Sequence, residues 1–211
     1  DTHAHTEFFL KYIEQDPALQ PFYSRFPAPG NFKEQLREKS TFPESSRKVL
    51  VETLQRQYAK FSHPDTVKAN IGALLKRNAF TVVTGHQLNI FTGPLYFIYK
   101  IVTVINACKK LKDSYPDHTF IPVYWMASED HDYEEIKSFR LYGKKYSWET
   151  NQQGAVGKFT LKDLSSLLQQ LPGDVSIFKE AYSKNISLSD AVRHYVTKLF
   201  GQEGIVVIDA D

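Results

Sequence analysis

The stretch VVTGHQLNIFTGPLYFIYK, residues 82–100, decides how the chain reads. The apolar run Phe80–Val83 breaks at Thr84 into glycines, a histidine, amides and a proline before a helical pattern resumes. Strand, polar loop, helix is the order in which α/β proteins build ligand sites beyond the carboxyl ends of strands. Pro94 suits the first position of the helix, where its missing N–H costs nothing. Leu95, Ile98, Val102 and Ile105 follow as an apolar stripe expected to be buried, and KKLKD places cations at the carbonyl end. FIPVYWMA then supplies a second strand over 120–126, so the three elements read as a βαβ unit.

Upstream, residues 1–78 read as a helical region. TEFFLKYIEQ, NFKEQLREKS, PESSRKVLVETLQRQYAKF and PDTVKANIGALLKRN are helical by apolar spacing and are separated by turns such as FPAPGN. In the third segment Val49, Leu50, Leu54 and Tyr58 are expected to share a buried face. Downstream, residues 79–211 read as the α/β core. IKSFRLY and KKYSWET alternate around Gly143 as a hairpin, and GAVGKFT has two glycines flanking a short strand. Thr160 with Asp163, and Ser187 with Asp190, have capping-box spacing. LSDAVRHYVTKLFG is the last helix, and GIVVIDA reads as a buried strand.

Composition narrows the function. The formal net charge of +2, from 26 basic and 24 acidic residues, gives no electrostatic case for nucleic acid or an anionic membrane. No apolar run approaches the roughly 20 residues that span a bilayer. One cysteine, Cys108, excludes an intrachain disulfide and fits a reducing, cytoplasmic location. Cys108 itself reads as a small buried hydrophobe. A chain that opens at Asp1 and stops just after a strand is expected to be a piece of a longer protein.

Two loops carry the candidate chemistry. TGHQLNIFTG, residues 84–93, has the parts of an anion cradle. Gly85 and Gly93 allow close backbone approach, and the helix after Pro94 offers free N–H groups and a positive dipole end. Thr84, His86, Gln87 and Thr92 would orient the ligand, with His86 also a candidate general acid. The glycine spacing matches neither a Walker loop nor GxGxxG. SEDHD, residues 128–132, follows the second strand. Ser128, Glu129 and Asp132 are candidate binding residues, and Asp130 and His131 are candidates for acid–base work. These groups also suit Mg²⁺ held with nucleotide phosphates. No dedicated metal site is read from the sequence. Neighbouring strands would open both loops on one edge. Lys100 reads as a solvent-facing lysine two turns into the helix.

VVTGHQLNIFTGPLYFIYKIVTVINACKKL and IPVYWMASEDHDYEEI, with GAVGKFTL and LFGQEGIVVIDAD, resemble the bacillithiol biosynthesis family BshC, the cysteine-adding enzymes. The likeness covers Phe80 to Asp211, and residues 1–78 resemble the family more loosely. It implies a Rossmann-like parallel sheet similar to class I aminoacyl-tRNA synthetases and nucleotidyltransferases, preceded here by the helical segment. It also implies later connecting domains and a C-terminal coiled coil, outside this chain, that supports a homodimer. The implied reaction joins L-cysteine to the amino group of glucosaminyl-malate with ATP. The TGHQ stretch then resembles the synthetases' histidine–glycine phosphate signature. Many family members carry glutamine where His86 stands, which puts a hydrogen-bond donor ahead of proton transfer at that position.

On this reading the chain alone is incompetent and its sheet edges are unpaired. Two other readings stay open: a nucleotide-binding module without catalysis, and a nucleotidyltransferase activating a different small acid.

Overall fold

Alternating burial along Ala79–Gln87 and a nearly continuous buried run in Thr119–Ala127 form the two strands expected from sequence, and the computed structural model, which describes residues 4–211, pairs them in parallel. It divides into two compact units, Asp1–Phe42 and Pro43–Asp211.

The first unit holds α1 (Glu7–Ile13) and α2 (Phe32–Lys39), joined by two short 3-10 turns. Thr6 caps α1 by accepting from the Phe9 amide. The Tyr12 ring meets Tyr23 and Phe26, and Arg25 pairs with Glu38 at 2.6 Å.

The second unit runs α3 (Glu44–Tyr58), α4 (Asp65–Ala73), β1 (Ala79–Gln87), α5 (Leu95–Ser114), β2 (Thr119–Ala127), α6 (Tyr133–Ile136), β3 (Ser138–Leu141), β4 (Lys144–Ser147), α7 (Leu164–Gln169), α8 (Ser176–Lys184), α9 (Leu188–Phe200) and β5 (Val206–Asp209). The helices of residues 43–78, which apolar spacing reads together with the amino-terminal helices, fall in this second unit. Arg47 explains part of this: buried, it donates to the carbonyls of Leu74 and Ala79.

The main sheet has the order β1-β2-β5, all parallel, and β3-β4 form the expected antiparallel hairpin. This is the mixed α/β, Rossmann-like architecture expected. α5 packs on the face bearing His86 and Tyr124, where Phe97 meets both rings edge-on. The opposite face carries Val83, Gly85 and Trp125, and the indole is 43% exposed.

Several local expectations are corrected. Val49 is 61% exposed and Leu50 half-buried; the buried face of α3 is Arg47, Val51, Leu54 and Tyr58. The stripe of α5 is likewise rotated: Leu95 is 64% exposed, and Phe97, Ile101, Val104, Ile105, Cys108 and Leu111 are buried. Both helices offer two apolar rows, and the row that meets the sheet wins. GAVGKFT contains a 3-10 turn at Val156–Lys158 in place of a strand. Ser187 does cap α9 through the Asp190 amide, but Thr160 bridges Ser187, and Asp163 starts α7 without a side-chain cap.

The expected open sheet edge is closed on β5. The outward N–H and C=O of Asp209 bond to the Gln57 side chain at 2.9 and 3.0 Å. The Val207 amide donates to the Tyr58 hydroxyl at 2.8 Å, and its carbonyl accepts from Arg193 Nη1 at 2.6 Å. Side chains of α3 and α9 thus stand where another strand would pair. Among the described residues no helix is long and apolar enough to cross a membrane.

Candidate functional site

β1 is longer than the apolar run that announces it. Its register with β2 continues from Thr84↔Tyr124 to Gln87↔Ala127, so Thr84, Gly85, His86 and Gln87 lie in the strand and not in the loop. The ladder to β2 carries these polar residues into the strand, which a sequence rich in polar residues does not announce. The loop proper is residues 88–93. It is anchored by buried Leu88 and Ile90 and by Phe91, whose amide donates to Tyr182 Oη at 2.5 Å. Tyr195 Oη donates to the Phe91 carbonyl. The Phe91 ring sits among Phe139, Phe178 and Tyr182.

Gly93 has φ +60°, and a Cβ there would stand 2.7 Å from Asn89 Cγ. The turn therefore needs glycine for both conformation and space. Pro94 is the N-cap of α5, one position earlier than expected, and offers no side-chain acceptor. The Phe97 amide donates to the Pro94 carbonyl at 2.9 Å, and no side chain caps the amides of Leu95 and Tyr96 at the start of this 20-residue helix. Thr92 lies half-buried in the same turn.

His86 sits on the α5 side of β1. Its Nδ1 donates to the Gln87 carbonyl at 2.9 Å, its ring stacks on Tyr96, and Nε2 is buried without a hydrogen-bond partner among the described residues. Burial pushes its pKa below the ordinary histidine value, helped by nearby Lys100 and opposed by the Gln87 carbonyl. The ring is thus held neutral in the folded state while the unfolded chain takes up a proton near pH 6.5. The unfolded state binds more protons in that window, so stability is present above about pH 6.5 and falls as the pH drops below it. Thermal midpoints measured from pH 7.5 to 5.5 should decline, and the decline should flatten in His86→Gln. An unchanged slope in the variant would remove His86 as its source.

The second loop follows β2 as expected. Ser128 is 2% exposed, and its hydroxyl donates to Asp209 Oδ1. Asp130 Oδ1 accepts from the Asp132 amide at 2.9 Å, and its carbonyl accepts from Val156 N at 2.8 Å. Glu129, His131 and Asp132 are exposed at the edge. Among the described residues no group of three or more His, Cys, Asp or Glu side chains is arranged to hold a metal ion.

The structure brings the two loops to one carboxyl edge. Gln87 Nε2 donates to Glu135 Oε2 at 3.2 Å, joining the end of β1 to α6. His86 and Ser128 are spent on internal contacts, while Gln87, Glu129, His131 and Asp132 line the rim. Lys100 is exposed, as expected, and its Nζ also donates to the Gly85 carbonyl at 2.9 Å. Asp209 stands at the carboxyl end of β5, opposite Met126 of β2. The rule that selected the other two loops, polar residues at a strand's carboxyl end, also selects IVVID. Cys108 is buried, as expected, and burial pushes its thiol up to about 12.

Comparison with known proteins adds the family. The N-terminal Rossmann-like domain of bacillithiol biosynthesis BshC matches residues 1–211. A protein of Flavobacterium psychrophilum named "Putative cysteine ligase BshC" is 42% identical over 98% of this chain and 41% of its own length. Proteins of the same name from Cytophaga hutchinsonii and Natranaerobius thermophilus are 40% and 30% identical, over 100% and 97% of this chain and 40% and 41% of theirs. The chain thus spans about two fifths of the length of these relatives.

Proposed function

The chain belongs to the bacillithiol biosynthesis BshC family, matching its N-terminal Rossmann-like domain, and from that premise we propose that it forms the ligand-binding part of a cysteine ligase. The full-length protein would join the carboxyl of L-cysteine to the amino group of glucosaminyl-malate, forming an amide and expelling the activated carboxyl oxygen with its leaving group. ATP, when bound, supplies that activation.

One observation carries the reading. β1 and β2 pair in parallel through Gln87↔Ala127, which sets the α5 amino end and the SEDHD loop on one carboxyl edge. The amides of Leu95 and Tyr96, in a first turn that Pro94 leaves uncapped, suit an anionic group such as a phosphate or carboxylate. Gly93 lets the turn close against Asn89, with Thr92 half-buried beside it, whereas Gly85 sits on the sheet face opposite α5; the Gln87 amide would donate. Glu129 and Asp132 would meet a substrate ammonium or the hard Mg²⁺ carried by nucleotide phosphates. Asp130 and His131 are the candidates to take the proton released as the amine attacks. His86 positions the end of β1 through the Gln87 carbonyl, consistent with a donor role there.

The test is direct. Full-length protein incubated with ATP, Mg²⁺, L-cysteine and glucosaminyl-malate should yield bacillithiol by mass spectrometry, and omission of ATP should abolish it. Product without ATP would remove the activation step. No product under any of these conditions would remove the ligase reading.

A further inference from the structure

Asp209 joins the edge from a third strand, and its surroundings are unusually fixed. Gln57 grips both of its backbone groups, and the Asp211 amide donates to Oδ1 at 3.3 Å. Arg193, 2% exposed, stands behind it with Nη2 at 3.9 Å from Oδ2. Held this way, Asp209 presents Oδ1 to the Ser128 hydroxyl. Ser128 is fixed from two further directions: its amide donates to the Met126 carbonyl at 2.8 Å, and its carbonyl accepts from Gly157 N at 3.0 Å. Gln57 and Arg193 hold Asp209, and Asp209 and Gly157, far apart in sequence, meet at Ser128, the first residue of the SEDHD loop.

We propose that Asp209 is a positioning residue of this site, acting through Ser128 to hold Glu129–Asp132 in the orientation that receives the ligand. A buried hydroxyl has no reach to substrate, so Ser128 acts as the hinge pin of the loop. A carboxylate acceptor strengthens its hydrogen bond over a neutral one. The assignment rests on reading the carboxyl edge as the ligand site, and the experiment separates the two.

Full-length Ser128→Ala, Asp209→Ala, the double variant and Asp209→Asn would be compared by hydrogen exchange and by steady-state kinetics. Amides of residues 129–132 should exchange on the order of tenfold faster in either alanine variant. The kcat/KM should fall about tenfold, mostly through KM. The double variant should lose no more than Asp209→Ala alone, because removing Ser128 then breaks no further bond to Asp209. Asp209→Asn keeps an acceptor oxygen and should recover most of the exchange protection. Unchanged exchange in Ser128→Ala, or additive losses in the double variant, would overturn the proposal. A wild-type protein that makes no product while the exchange still responds would remove the ligase reading and leave the positioning role standing.

Discussion

Replacing Arg193 with methionine should cost the protein roughly 3 kcal/mol of stability, although methionine keeps the length and apolar character of the stem. The guanidinium is buried and makes short bonds to the Val207 carbonyl and to Gln57 Oε1, at 2.6 and 3.0 Å. It also stands over the rings of Tyr58 and Phe61, at 4.8 and 5.6 Å. Methionine leaves the Val207 carbonyl desolvated without that donor and removes both cation–π contacts, together about the figure given. For a chain of this size the thermal midpoint should drop by roughly 6–12 °C. Lys60→Met is the control: its pair with Asp190 at 2.8 Å lies on a side chain that is mostly exposed, so the midpoint should barely move. Equal shifts in the two variants would refute the edge-capping account. The Arg193 variant should also self-associate more readily, since an uncovered strand edge is a template for pairing.

This arginine shows what the sequence withholds. LSDAVRHYVTKLFG reads as an amphipathic helix, and the reading is right, but nothing in a 3.6-residue period says that the charged member of the helix points inward. Its partners lie at positions 57, 58, 61, 207 and 209, and only the folded topology brings them together. Arg47 is the same case on α3. By contrast, β1, α5 and β2 were legible because each carries its own periodic pattern and punctuation. The candidate site was half legible for a related reason. Strand ends are local signals, so both loops were found. Whether a residue at such an end faces the ligand or the interior is a tertiary outcome, and it sends His86 and Ser128 inward and leaves Gln87 and Glu129 at the rim. The extra strand residues Thr84–Gln87 are an override of local propensity by the ladder to β2.

Gly157→Ala should be the most damaging single methyl group in the site. A Cβ at Gly157 would lie 2.6 Å from both Ser128 Cβ and the Ser128 carbonyl oxygen, and 3.0 Å from its Cα. Two of those three atoms are backbone, so no rotamer change relieves the overlap. Either the 3-10 turn at Val156–Lys158 or the SEDHD loop must move. Movement of either breaks the Gly157 N to Ser128 O bond of 3.0 Å and strains its neighbour from Val156 N to Asp130 O. Overpacking of this kind costs about 1–3 kcal/mol, and the lost bond adds about 1 kcal/mol. The glycine's conformation is not the issue, because its φ lies outside the left-handed region; space is. Ligand binding should suffer more than stability, since a shift of about 1 Å at a site can cost a hundredfold in rate. The measurement is kcat/KM beside the thermal midpoint, with Gly154→Ala as comparison; at Gly154 a Cβ meets nothing within 4 Å, though its φ of +95° brings its own backbone strain. Gly154→Ala should therefore lower the midpoint with little change in kcat/KM, and Gly157→Ala should lower kcat/KM by far more than its midpoint predicts. If the two variants lose activity in proportion to stability, the fit of the turn against Ser128 is a matter of folding alone.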